Sequence, residues 1–272
     1  MLSFLLAMLG AAPSARSQGV AIPNFWDGRA RVDRPDPASL RPVRVLTDDD
    51  FPPLHFAGPD GVPTGFSVEL ARAACEILSL TCTIQARRFE TLLDALAEGR
   101  GDLVAAGIPI NADLRARFTA TAPYFRIPAR FAARRDKNQP QPTASALAGK
   151  NVAVVENTAH QAYLQSYFPQ AAAKPFPELA GAVSALRRGE VDYVFADALG
   201  LALWIGGTEA SDCCAFTGGA YLESRYFGEG VGFILRRDDE VLRRAFDYAL
   251  QRLHEEGRYA ELYLRFFPVG LF

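Results

Sequence analysis

The chain has 272 residues and a net charge of −2, with 49% hydrophobic and 22% charged residues. That length suits one large domain or two modest ones. The near-neutral charge gives no electrostatic footprint for nucleic acid, and after the N-terminus no apolar run is long enough to span a bilayer.

In chain order, Leu2 to Ala12 is a short apolar run, followed by small residues at Ala15 and Ser17 with the spacing of a cleavage site. Residues 1–17 read as a secretory signal peptide whose first region lacks Lys and Arg, the alternative being a buried N-terminal helix. Export would place the mature chain outside the cytoplasm. Residues 18–42 carry Pro23, Pro35, Pro37 and Pro42 and read as an N-terminal arm, with Asn24-Phe25-Trp26 as the residues able to pin it to the body.

The organising unit follows. Val43 to Leu46 reads as a strand, Asp48 to Pro53 as an acidic loop, and Gly58-Pro59-Asp60-Gly61 as a turn. Val68, Leu70, Ala71, Ala74, Ile77 and Leu78 recur at helical spacing and predict a helix with one buried face over 68–78. A strand, a polar loop at its carboxyl end and a crossover helix form the unit that places ligands in α/β proteins. Next come a strand at 83–86, a helix at 89–98 closed by Gly99-Arg100-Gly101, a buried strand at 102–107 and a short charged helix at 111–118. Residues 128–134 predict a strand that leaves this first unit.

A second βα pattern then begins. It has strands at 151–155 and 191–197, helices at 158–167, 179–188 and 198–205, and a last long strand at 230–235. The end of the chain, 240–267, reads as two helical parts divided near Gly257. This order implies an α/β fold with two lobes, the first built from 43–127 plus 227–272 and the second from 128–226.

Four cysteines are present. Cys75 and Cys82 flank a helix-to-strand turn, where an exported protein favours a disulfide over two buried thiols. Cys213 and Cys214 are neighbours, which leaves thiols or a labile disulfide. None of the four has a zinc-site spacing, and no cofactor is expected.

Several stretches resemble the periplasmic solute-binding proteins of ABC importers, in the polar amino-acid-binding family (family 3). Thr64-Gly65-Phe66-Ser67-Val68-Glu69-Leu70 is similar to the family's GFDVDLA helix start. Gly189 to Asp197 is similar to its GKVDAVVAD strand, and Glu255-Glu256-Gly257-Arg258-Tyr259 to its DGTYDKI close. Cys75 and Cys82 resemble the disulfide of the lysine/arginine/ornithine- and histidine-binding members. The resemblance covers about Val43 to Phe267. It implies a type II periplasmic-binding-protein fold with lobes joined by two crossing strands, a small polar ligand held between them, and the membrane subunits of an ABC transporter as partners.

The same resemblance implies roles for particular residues. Asp48 and Phe51 fall on the first ligand-contacting loop, and Phe89 on the aromatic that packs on the ligand. Ala106, Gly107 and Pro109 fall on a loop that offers backbone groups. Asn157, Thr158 and Ala159 fall at a helix N-terminus suited to a carboxylate, and Asp197 on the acid that binds an α-ammonium. Each has a plainer alternative: Asp48 as a solvated acid, Phe51 and Phe89 as core, Thr158 as an N-cap only. Leu114 stands where the family has an arginine for the α-carboxylate. Arg115, one residue along, could serve only if the helix is shifted, since adjacent positions point about 100° apart. Pro109 also lacks the N–H of the family's usual residue. No Ser-His-Asp set or metal cluster is visible. A binding protein is therefore the leading reading, ahead of an accessory or sensor protein of this fold that has lost amino-acid binding and of a dehydratase-like enzyme.

Overall fold

A computed structural model describes residues 22–25, 32–267 and 270–272. The signal-peptide segment at 1–17 and Trp26 of the arm lie outside the described residues.

The first sheet grows from strands whose residues are buried on both faces. β1 (Val43–Thr47) is shielded along almost its whole length, as expected of a parallel strand covered by helices on both sides. A small antiparallel sheet of β2 (Asp50–Phe51), β3 (His55–Ala57) and β4 (Pro63–Thr64) follows, where the sequence suggested only loop and turn. It leads into α1 (Phe66–Ile77), whose Phe66, Val68, Leu70, Ala71 and Ala74 are buried. Gly65 makes this junction possible: its φ is +116°, and a Cβ there would stand 2.6 Å from the Leu54 carbonyl oxygen. Only glycine lets the helix start lie so close to the β3 backbone.

β5 (Cys82–Ala86) pairs with β1 in parallel. The Cys75–Cys82 disulfide ties the last turn of α1 to the first residue of β5, across a Cα separation of 6.3 Å. Phe89–Thr91 form a 3-10 turn, so the helix expected from Phe89 starts only at α2 (Leu92–Ala97). β6 (Leu103–Val104) is short, and α3 (Ala112–Arg117) is capped by Asn111, whose side chain accepts from Leu114 N–H at 2.9 Å. β7 (Phe118–Ala120) completes this part of the sheet.

The chain crosses into a second sheet through β8 (Ala129–Arg134). There follow β9 (Asn151–Val155), α4 (Ala159–Tyr167), β10 (Ala172–Phe176), α5 (Leu179–Arg188), β11 (Tyr193–Asp197), α6 (Ala198–Gly206) and β12 (Cys214–Tyr221). The strand order is β10-β9-β11-β8-β12. β10 and β12 are the strands sequence periodicity does not signal. Both are edge strands, where Pro175 and the Gly218-Gly219 pair are tolerated. α5 stops at Gly189, whose φ of +76° lets its own N–H reach Leu186 O at 3.0 Å while Glu190 N–H reaches Ala185 O, closing the helix end.

A short α7 (Ser224–Phe227) leads the chain back, and β13 (Ile234–Arg236) joins the first sheet, whose order is β5-β1-β6-β13-β7. The long strand expected at 230–235 is shorter, because Val231 makes only isolated bridges to Pro109 and Phe125. α8 (Glu240–Glu255) and α9 (Arg258–Phe266) close the chain around Gly257 and pack on α1. The fold is thus two-lobed, and the first sheet is completed by a strand from the far end of the chain.

Two polar anchors fix this return. Asp102 is buried and receives Arg44 N–H and Nε at 3.0 and 2.9 Å, Arg41 Nη1 at 3.1 Å and Arg236 Nη2 at 3.2 Å. Burial opposes its charge, but the hydrogen bonds from Arg44 and Arg236 and the charge of Arg41 outweigh it and hold the carboxyl well below the ordinary range. Arg130, buried on crossing strand β8, donates to Leu271 O at 3.0 Å and Gly218 O at 3.1 Å and stacks on Phe216. It therefore ties the C-terminal tail to the second sheet. Phe25 of the arm lies 5.7 Å, ring to ring, from Phe272 and packs on the first lobe. Cys213 and Cys214 are joined to each other, which decides between the alternatives left by the sequence.

Candidate ligand site

Loops at the carboxyl ends of the parallel strands carry the candidate residues, as the fold class requires. They line two cavities. The first, of 660 Å³, lies on the first lobe and is lined by Asp48, Asp49, Asp50, Phe51, Arg87, Arg88, Phe89, Glu90 and Gly107. The second, of 460 Å³, includes Pro109, Asn111 and Ile127 from the first lobe and His160, Asp197 and the α7 region from the second.

In the first cavity Phe51 and Phe89 are 41% and 46% exposed. Burying a large aromatic is the rule, so two half-bare rings around one cavity favour ligand packing over core. Asp48 is nearly buried, and its carboxyl is raised above the ordinary range by that burial, with Asp49 and Asp50 adding to the effect and N–H groups of the loop opposing it.

Below this loop sits His55, fully buried and without a role in the sequence reading. Its Nε2 accepts from Gly107 N–H at 2.8 Å, and its Nδ1 lies 2.7 Å from Asp48 Oδ1 in a geometry poorly aligned for a hydrogen bond. Its ring is 5.5 Å from that of Phe51, directly across the β2–β3 pair. Burial depresses its pKa to about 4, so the ring is neutral at pH 7 and one nitrogen is free to accept. His55 thus joins three cavity residues from beneath. The sequence signal for it is faint: one polar residue at an inward position of a three-residue strand.

In the second cavity Asp197 ends β11 and caps α6, accepting from Gly200 N–H at 2.6 Å. His160 faces the same space. Burial lowers its pKa and the charge of Asp197 opposes that shift; its ring lies 5.1 Å from Phe227. Tyr226, Phe227 and Arg225 from α7 complete the wall, and none of the three was a sequence candidate.

Four of the expected residues line neither cavity. Ala106 is fully buried. Thr158 caps α4, accepting from Gln161 N–H at 3.3 Å, and its hydroxyl donates to Val155 O. Asn157 is exposed, with φ +57°, and its N–H donates to Gln161 Oε1. Arg115 is held by Glu229, with Nε to Oε1 at 3.0 Å and Nη2 to Oε2 at 2.5 Å. The Asn111 cap fixes the start of this helix, and Leu114 is buried in one core cluster with Ala106 and Ile110. Gly107 lines the first cavity, but its N–H is already taken by His55.

Acids line both cavities, and the half-bare rings of Phe51 and Phe89 stand on the first lobe, an arrangement suited to holding a small polar solute. The sequence matches the model of the family described as "Bacterial extracellular solute-binding proteins, family 3" over residues 43–269, and the chain belongs to that family. It is 28% identical over 237 residues to the L-arginine-binding protein of Pseudomonas aeruginosa, spanning 86% of this chain and 91% of that one. It is 26% identical over 218 residues to the ABC transporter arginine-binding protein 1 of Escherichia coli, spanning 80% and 87%. Among solved structures, the L-cystine solute receptor of Neisseria gonorrhoeae in its unliganded open conformation has a TM-score of 0.74 at 22% identity, covering 84% of this chain and 94% of that one, a likeness that concerns the fold. The family is one of binding proteins that work outside the cytoplasm, where the two disulfides are chemically at home.

Proposed function

We propose that this chain captures a cationic amino acid or a close derivative between its lobes in the periplasm and delivers it to the membrane subunits of an ABC importer, without catalysis. The observation that carries this reading is the pairing of acids with exposed aromatics: Asp48, Phe51 and Phe89 on one lobe, and Asp197 on the other. Acids suit an ammonium or guanidinium group, and flat rings suit the apolar stem and cation–π contact. The arginine-binding relatives support the same class. Residues 43–127 with 227–272 form one body and 128–226 the other, and closure brings Asp48 and Asp197 to one ligand while excluding water, which strengthens each charged contact.

A thermal-shift screen over the amino acids tests this reading. A ligand at about a hundred times its dissociation constant adds roughly 2.7 kcal/mol to stability. Stabilisation by basic amino acids is the expected result. A screen in which no amino acid or amine shifts the transition defeats the proposal.

A further inference from the structure

We propose that Arg87 is a specificity-determining residue that receives an anionic group of the ligand, so that the solute carries a carboxylate as well as a cation. This rests on the binding function proposed above. Arg87 follows the carboxyl end of β5 and lines the first cavity with Asp48, Phe51 and Phe89. Its backbone is fixed, since its N–H donates to Thr47 O at 2.8 Å. Its side chain is not: the Nε is shielded from solvent and has no hydrogen-bond acceptor. No described carboxylate pairs with it, although Asp48, Asp49, Asp50 and Glu90 line the same space.

A shielded guanidinium donor without an acceptor is costly, and the fork of an arginine matches a carboxylate with two parallel hydrogen bonds. The group able to satisfy Arg87 is one brought into the cavity. Arg88 lines the same cavity but is exposed to solvent, so its charge stays hydrated, and the groups to which the family likeness points for an anion are committed elsewhere. Arg115 is clamped by Glu229, Leu114 is core, Gly107 N–H is bonded to His55, and Pro109 has no N–H. The acids beside Arg87 remain for the ligand's cation. One cavity therefore offers both signs of charge, the complement of a zwitterion.

Isothermal titration of the full chain and of Arg87→Met, which keeps an unbranched apolar stem, decides the matter with matched pairs: L-arginine against agmatine, and L-lysine against cadaverine. The wild type is expected to favour the carboxylate member of a pair by about tenfold or more. Arg87→Met should cut that preference by at least about fivefold and leave amine affinity within about threefold. A smaller cut overturns the inference, as does an equal loss for both members or a wild type without preference. The proposed function survives those three results. A wild type that binds neither member of either pair overturns both, and Arg87→Lys, which keeps a point charge but not the fork, should recover part of the preference if the inference holds. Thermal unfolding of each variant confirms that it folds.

Discussion

The sharpest single perturbation of the proposed function is Asp197→Asn. Asp197 has two separable jobs. Its carboxylate caps α6 through Gly200 N–H at 2.6 Å, and it lines the second cavity as a negative charge. Asparagine caps a helix about as well as aspartate, so stability should change by only a few tenths of a kcal/mol. A hydrogen bond to a charged group contributes about 1.5–3 kcal/mol, so its loss should weaken a cationic ligand by roughly tenfold to over a hundredfold. Asp197→Ala supplies the control: it loses the cap as well, at about 1 kcal/mol, which lowers the melting temperature by about 2–4 °C in a chain of this size. Calorimetric titration with L-arginine reads the affinity, and thermal unfolding reads the cap. If Asp197→Asn binds as tightly as wild type, the acid is a cap alone and the site is wrongly placed. If it loses stability as Asp197→Ala does, cap and charge are not separable at this position.

Three further outcomes follow from the fold. Removing the Cys75–Cys82 bridge by Cys75→Ser with Cys82→Ser frees a short loop and should cost about 2–3 kcal/mol, read as a fall in denaturant midpoint; an unchanged midpoint contradicts it. Asp102 has a folded pKa below its unfolded value, so its contribution is present above an unfolded pKa of about 4 and is lost as pH falls toward the folded value. Asp102→Asn should therefore lower stability at neutral pH and flatten the acid limb of a plot of melting temperature against pH, and an acid limb as steep as wild type would show that other carboxyls govern it. Gly65→Ala places a Cβ against Leu54 O at φ +116°, and should destabilise by more than about 1 kcal/mol; a neutral result in chemical unfolding would mean that the α1 start relaxes freely.

What the sequence determined by itself is set by local rules. Apolar spacing located α1 and α5 to within a residue or two, and Gly257 marked the division between the last two helices, because burial of one face and left-handed backbone are both written in single residues and their near neighbours. Family likeness pointed to Asp48, Phe51, Phe89 and Asp197, and the structure puts all four on cavity walls. The edge strands β10 and β12 were not legible, since an edge tolerates Pro175 or Gly218-Gly219 and its pairing depends on a partner distant in sequence. Only the tertiary structure decided the charges. Arg115 is drawn to Glu229, more than a hundred residues away, while Arg87 is left facing a cavity without a partner. His55 gains its role from Asp48 and Gly107, one near in sequence and the other brought by a neighbouring strand. Which arginine is spent on the fold and which is left for a ligand depends on where the acids end up in space, and that distance is fixed only when the sheets assemble.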